Sequence, residues 1–600
     1  MFEATRRGFL QGIGGAIVVG GLGACGRGSA GSGSSTATVD VAGLDAAGAE
    51  RSRAEVRRAI GLLLDREYIC REIARADQVP ANTLVCQGVQ EPDGSDFAYN
   101  AGAGGGRGYF DPTDEALPAN YEEALAVLKR YYDYDEARRV ITNFPALTYL
   151  YNNGDAHRAI GEYVQSALGA VGIRVSLENQ EWATFLHTRA NGDYDVARSG
   201  WYMDYTDPVC MLDAWTTQSG NNEQQFGRGD HADVAAYDLD LTGYGLETRV
   251  EGGTWAETYD VLINTINHES DQERRFRLMH LAEDIIMSTG CICPIYYNTR
   301  PYLLSDRVKG LWVHPLGEVS LAGTTVDGKG DSISVCYGPE PATLDPALNL
   351  SVEGGITISH CFSGIARTVR DGDGLRIVAD CAEELTEPVE NEDGSRTYTY
   401  RLREGLTWSD GQAVTAQDFE YAWKRAASKE FGASYGELFE VIAGYAEGDL
   451  AVRATDELTL EVTTDGFCGY WNELMAFPAF FPIRSDVAGS DAWAQGADSY
   501  VCNGAYELVE WEHNSHITLR KREGYHHADE VTMGEIKWFM SDNANTCLAN
   551  FESGDWLYIQ DIPTNEIDRI KKKYANEYHV APQAGTFYVC WNVNKDLLPA

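Results

Sequence analysis

Cys291 and Cys293, one residue apart, form the kind of pair that can hold a metal ion. They lack a second ligand pair at zinc-like spacing and lie in an apolar run, 291–297, so buried strand cysteines are expected there. The 12 histidines are scattered along the chain without ligand spacing. Neither a Gly-x-Ser-x-Gly elbow, nor a His-Glu-x-x-His helix, nor a Walker sequence is present. Nucleophilic, zinc-protease and nucleotide chemistry therefore have no sequence support, and no cofactor, metal or catalytic residue is expected. A binding site is sought instead in the segment 198–204.

That segment sits at the end of a repeating pattern. The run 147–151 predicts a strand, 157–168 a helix with Ile160, Tyr163, Val164 and Ala167 on one side, 173–177 a strand, 182–190 a helix and 195–201 a strand. Strand, helix, strand, helix, strand with short connections predicts a parallel α/β unit. Ligands at such sheets gather beyond the carboxyl ends of the strands, which places the search at 198–204. Upstream, apolar residues from Val56 to Ile73 recur at helical spacing within 53–76, and 121–132 repeats the pattern. Downstream, 270–287 reads as an amphipathic helix, and 397–402, 458–462, 505–509, 517–519 and 586–593 read as strands. Thr415-Ala416-Gln417-Asp418 predicts a capped helix start, with Phe419, Ala422, Trp423 and Ala426 as its apolar face. The glycine- and aspartate-rich stretch 226–257 is expected to be a surface insertion.

At 600 residues, with 44% hydrophobic and 11% aromatic residues, the chain has ample material for buried cores, which excludes global disorder. Lys+Arg 48 against Asp+Glu 91 gives a formal charge of −43, which repels phosphate backbones, so nucleic acid is not an expected partner. Thr5-Arg6-Arg7-Gly8-Phe9-Leu10 is a twin-arginine pattern, and the weakly apolar stretch behind it is too short to span a bilayer. Leu22-Gly23-Ala24-Cys25 resembles the lipobox of bacterial lipoproteins, which implies removal of 1–25 as a signal peptide and lipidation at Cys25. A flexible tether is expected over 26–52. The expectation is an extracytoplasmic protein, exported by the twin-arginine route and lipid-anchored to the cell membrane.

Two longer motifs carry a family resemblance. Arg401-Leu402-Arg403-Glu404-Gly405-Leu406-Thr407-Trp408-Ser409-Asp410-Gly411, running into Val414-Thr415-Ala416-Gln417-Asp418-Phe419, resembles the signature of the family 5 extracytoplasmic solute-binding proteins. Those are the oligopeptide- and dipeptide-binding components of ABC importers. Leu344-Asp345-Pro346, Asn503-Gly504-Ala505-Tyr506 and Trp201-Tyr202-Met203-Asp204-Tyr205 extend the likeness. The order differs: in the family the first-named motifs lie near the mature N-terminus, whereas here the C-terminal half comes first. The chain resembles a circular permutant. Thr38-Val39-Asp40 also recurs as Thr325-Val326-Asp327.

The resemblance implies an α/β fold, a two-lobed clamp of the periplasmic-binding-protein type II kind with mixed sheets, in permuted order. Residues 53–298 plus 585–600 would form the ligand-binding lobe, 299–365 plus 500–584 the core of the other lobe, and 366–499 its smaller subdomain. It implies capture of an oligopeptide in a closing cleft for ABC permease subunits, by a monomer that performs no chemistry. Asp204 matches the family aspartate that pairs with the peptide α-ammonium. Trp201 and Tyr202 lie in the segment that lines the peptide, Arg198 and Arg189 resemble arginines that meet carboxylates, and Tyr435 matches a tyrosine of the smaller lobe. Asn298 and Leu348-Asn349-Leu350 depart from the pattern, so side-chain preference does not carry over. A nickel chelate, haem or a sugar on the same clamp, and a rearranged signalling form, stand as alternatives.

Overall fold

The computed structural model describes residues 39–228 and 255–599, apart from 329, 372, 373, 434 and 490. The signal segment with Cys25, the tether up to 38 and nearly all of the insertion at 226–257 lie outside the described residues. The chain divides into two compact units, one of Met1–Met203, Asp207–Asn298 and Ala584–Ala600, the other of Asp204–Thr206 and Thr299–Gln583. Two long strands, Ile292–Leu304 and Tyr578–Trp591, contribute residues to both.

In the first unit, Leu147–Asn152, Val175–Gln180 and Val196–Tyr202 are strands, connected by the helices Asp155–Ala170 and Trp182–Ala190. Leu147–Asn152 pairs in parallel with both of the others. It is buried at nearly every position, as expected of a parallel strand covered on two faces. Helix Asp155–Ala170 buries Ile160, Val164 and Leu168, one turn apart, against the same core. The expected strand at 173–177 starts later, at Val175, because the Ile173 N–H donates to the Leu168 carbonyl and so belongs to the turn leaving the helix.

The helical periodicity across 53–76 divides into two helices, and the first starts inside the segment expected to be tether. Ala46–Leu62 is capped by Asp45, whose side chain accepts from the Gly48 N–H. The chain then restarts at Asp65, whose carboxylate accepts from the Tyr68 N–H while its own N–H donates to the Tyr163 hydroxyl. Periodicity sees neither cap, so it reads one helix.

The edge of the parallel set is completed from the far end of the sequence. Gly585–Trp591 runs antiparallel to Val196–Tyr202, with Gly585 opposite Tyr202 and Trp591 opposite Val196. Phe587, Val589 and Trp591 join the core with Tyr149, Val196 and Ile295. Leu597 enters that core too, its carbonyl accepting from the Tyr132 hydroxyl. Each such apolar side chain, fully buried, stabilises the fold by about 1.5–3 kcal/mol. Cys291 and Cys293 are buried thiols on the entry to strand Ile292–Leu304, as expected, and all 12 cysteines among the described residues are buried and unbridged.

The second unit holds a sheet in the order Tyr506–Glu512, His516–Lys521, Glu535–Phe539, Ser332–Cys336, Tyr558–Ile559 and the end of Ile292–Leu304. A separate four-stranded sheet orders Val389–Glu390, Arg396–Arg401, Thr459–Thr464 and Val452–Asp456. Helix Ala416–Ala427 packs Phe419, Ala422, Trp423 and Ala426 inward. Its capping box forms as the sequence predicts, with the Thr415 N–H donating to the Asp418 carboxylate at 2.8 Å.

Candidate functional site

Strand Val196–Tyr202 presents its side chains alternately. Arg198, Gly200 and Tyr202 share one face, while Ala197, Ser199 and Trp201 share the other. The sequence places Arg198 and Trp201 in one short segment; the strand sends them to opposite sides of the sheet.

Arg198 is held on its own face. Its Nε donates to Asn152 Oδ1 at 2.7 Å, at the carboxyl end of the neighbouring parallel strand. The guanidinium lies over the rings of Trp182 and Phe185, at 5.3 and 5.1 Å, both on the helix that precedes the strand. Burial, together with the adjacent Arg189 charge, lowers its pKa from the ordinary arginine value.

Arg189, in the last turn of that helix, is more deeply buried. Its Nε stands 2.7 Å from Glu223 Oε2, and another guanidinium nitrogen donates to the Arg198 carbonyl at 3.2 Å. Burial raises the Glu223 carboxyl, and the Arg189 charge pulls it back down. Arg189 is thus already neutralised within the fold, and Glu223 and Asn152 are partners the sequence reading missed. Asn152 ends a parallel strand, so the rule that located 198–204 also reaches it. Glu223 lies in a polar stretch with no recognisable pattern.

Trp201 is half-buried, and its Nε1–H is fully buried without a hydrogen-bond partner. Tyr202 is 56% exposed. Opposite it stands Gly585, where a Cβ would lie 2.7 Å from the Tyr202 ring and 2.8 Å from the Trp201 carbonyl oxygen. Only glycine fits that approach without a shift.

Beyond the strand, the Met203 N–H donates to the Ala584 carbonyl at 2.8 Å, and the next three residues group with the second unit. The chain is fixed again at Asp207, whose carboxylate meets the buried Arg275 guanidinium in two bonds of 2.5 and 3.0 Å. Within the second unit, Tyr205 stacks on Tyr470 with ring centroids 4.3 Å apart. The Tyr435 hydroxyl donates to Asp204 Oδ1 at 3.3 Å, so these two predicted residues are brought together. Tyr435 precedes the short helix Gly436–Val441, and its ring packs edge-on against Phe477.

The electrostatics at Asp204 favour a cation. Burial pushes its carboxyl up to about 6; the Tyr435 hydrogen bond lowers it, and the nearby Glu437 charge raises it further. Burial likewise raises Glu440, with Glu437 adding to the effect. Carboxylates placed so that they disfavour one another's charge gain most from an incoming ammonium. A cavity of about 370 Å³ opens at the other end of strand Val196–Tyr202, beside Asp195 and Lys595, which pair at 2.7 Å. Lacking Asp204, Trp201 and the two arginines, it does not belong to this site.

Two α/β units with mixed sheets, one built on a parallel strand set with charged and aromatic groups at its carboxyl end, define a solute-binding protein of the periplasmic type. The chain belongs to the bacterial extracellular solute-binding proteins, family 5, whose sequence model matches residues 35–223 and 377–599. It is 33% identical over 290 residues to the oligopeptide-binding protein OppA of Bacillus subtilis, covering 45% of this chain and 51% of that protein. It is 31% identical over 266 residues to the dipeptide-binding protein DppE of the same organism, covering 43% and 47%. Among solved structures, OppA of Burkholderia pseudomallei aligns with a TM-score of 0.38 at 30% identity, over 41% of this chain and 49% of the other. The chain thus spans about half the length of the curated relatives it matches.

Proposed function

We propose that the protein captures oligopeptides outside the cytoplasm and delivers them to an ABC importer, with Asp204 receiving the peptide α-ammonium. The observation that carries this reading is the half-buried Asp204 carboxyl, raised to about 6 beside Glu437 and held by the Tyr435 hydroxyl. An ammonium brought against it restores the ionised form and forms a charge-assisted hydrogen bond. The buried Trp201 Nε1–H supplies a donor for a peptide carbonyl, since a buried donor left unpaired costs about 1–3 kcal/mol. Arg198, carried on aromatic rings, can meet a ligand carboxylate; Arg189, paired with Glu223, acts as its buried neighbour. Recognition of groups that every peptide shares fits relatives named for oligopeptide and dipeptide binding.

Ligands released from the purified protein by denaturation and read by mass spectrometry test this. Short peptides with free amino termini are expected; recovery of a nickel chelate, haem or sugar alone would overturn it.

Export by the twin-arginine route and lipidation at Cys25 belong to the same reading. Incorporation of a labelled fatty acid, lost in Cys25→Ala, is the expected result. We also propose that the family's segments stand in exchanged order. The antiparallel pairing of Gly585–Trp591 with Val196–Tyr202 supports it, as do local similarities that each cover about half of a relative. A protein with residues 325–599 placed ahead of 39–324 should fold and bind the same peptides; failure to fold would count against the exchange.

A further inference from the structure

The second unit gathers three potential metal ligands that sequence spacing hides. Asp380 follows strand Gly374–Ala379 and its side chain is almost fully buried. His526 and His527 lie on the loop after strand His516–Lys521, more than a hundred residues further along. His526 Nε2 stands 2.7 Å from Asp380 Oδ1, and His527 Nε2 stands 3.6 Å from the same oxygen. The ligand atoms of the three residues all lie within 4.8 Å of one another.

We propose that Asp380, His526 and His527 form a site for a divalent transition metal of the zinc class, bound through Asp380 Oδ1 and the two Nε2 atoms.

Imidazole nitrogen and carboxylate oxygen bind zinc at about 2.0–2.2 Å, which for tetrahedral angles separates neighbouring ligand atoms by about 3.4 Å. The observed 2.7 and 3.6 Å bracket that value, so small side-chain rotations admit the ion. His527 Nε2 is buried and has no hydrogen-bond partner, because 3.6 Å is too long for one. Coordination would satisfy it. The other nitrogen of the same ring lies 3.4 Å from Glu530 Oε1, the carboxylate–histidine relay that orients metal-bound imidazoles.

Arg367 is the competing cation. Its Nε lies 3.9 Å from Asp380 Oδ1, yet its other end is held by Glu530 at 2.8 Å. Asp380, His527, Arg367 and Glu530 also line one side of a cavity of about 350 Å³, so a coordination position can face it and take water or a solute atom.

The test is made on the full chain, stripped with chelator and titrated with Zn²⁺ by calorimetry and with Co²⁺ by visible absorption. One site of micromolar or tighter affinity is expected, with the intense Co²⁺ bands of tetrahedral coordination. The double substitution His526→Gln/His527→Gln should weaken binding about 100-fold or more and abolish the bands. Glu530→Gln, at an exposed position, should weaken binding about tenfold with the fold intact. Absence of Co²⁺ bands from the unaltered protein, or unchanged affinity in the double variant, would overturn the proposal.

Discussion

The Tyr435 hydroxyl donates to the Asp204 carboxylate at 3.3 Å, joining residues more than two hundred positions apart within one unit. That bond stabilises the ionised carboxylate against burial and Glu437, which together set its pKa at about 6. A raised carboxyl binds its proton more tightly in the folded than in the unfolded chain. This group's contribution to stability therefore falls as pH rises from about 3.8 through 6. Affinity for an ammonium ligand runs the other way, because the ligand requires the ionised form. Peptide affinity should rise by up to tenfold per pH unit below about 6 and level off above it. Calorimetry between pH 4.5 and 7.5 reads both the slope and the plateau.

Tyr435→Phe removes a hydrogen bond that lowers the Asp204 pKa. The midpoint of the same affinity profile should move upward by about one pH unit, with little change at the alkaline plateau. A midpoint that stays in place would mean the 3.3 Å contact does not matter in solution.

Arg189 and Glu223 are a buried pair 2.7 Å apart, and breaking it should cost more than forming it gains. Glu223→Gln is expected to destabilise the protein by about 2–3 kcal/mol, measured by urea unfolding, because it leaves a guanidinium without its counter-ion. Replacing both with apolar residues of similar size should recover most of that loss.

Gly585 meets Tyr202 and the Trp201 carbonyl so closely that any side chain forces a shift in the strand pair. Gly585→Val should cost about 2 kcal/mol in thermal or urea unfolding. Gly88, where a Cβ meets nothing within 4 Å but the φ is +95°, gives a contrast: alanine there loses stability through backbone strain alone.

The parallel unit was legible because its signal is local. Leu147–Tyr151 is a short, largely apolar run, Ile160, Val164 and Leu168 recur at one turn, and Trp182–Ala190 has the predicted bounds. The strand-end rule then led to Arg198 and Asp204 without reference to any partner. Caps were harder: Asp65 starts the second helical run, accepting from the Tyr68 N–H while its own N–H donates to the hydroxyl of Tyr163, which lies far along the chain. Hardest were the partners themselves. Glu223 reaches Arg189, and His526 and His527 reach Asp380, only after folding, so no spacing rule could find them. The opposite faces of Arg198 and Trp201, by contrast, follow from strand alternation alone.

The central claim is that Asp204 reads a peptide's amino terminus. Calorimetry at neutral pH should compare one short peptide with its N-acetylated form, against the unaltered protein and Asp204→Asn. The account predicts that acetylation weakens binding to the unaltered protein about 100-fold, roughly 2.7 kcal/mol, and that the substitution largely erases this difference. Equal affinity of the unaltered protein for the free and acetylated peptides would contradict it.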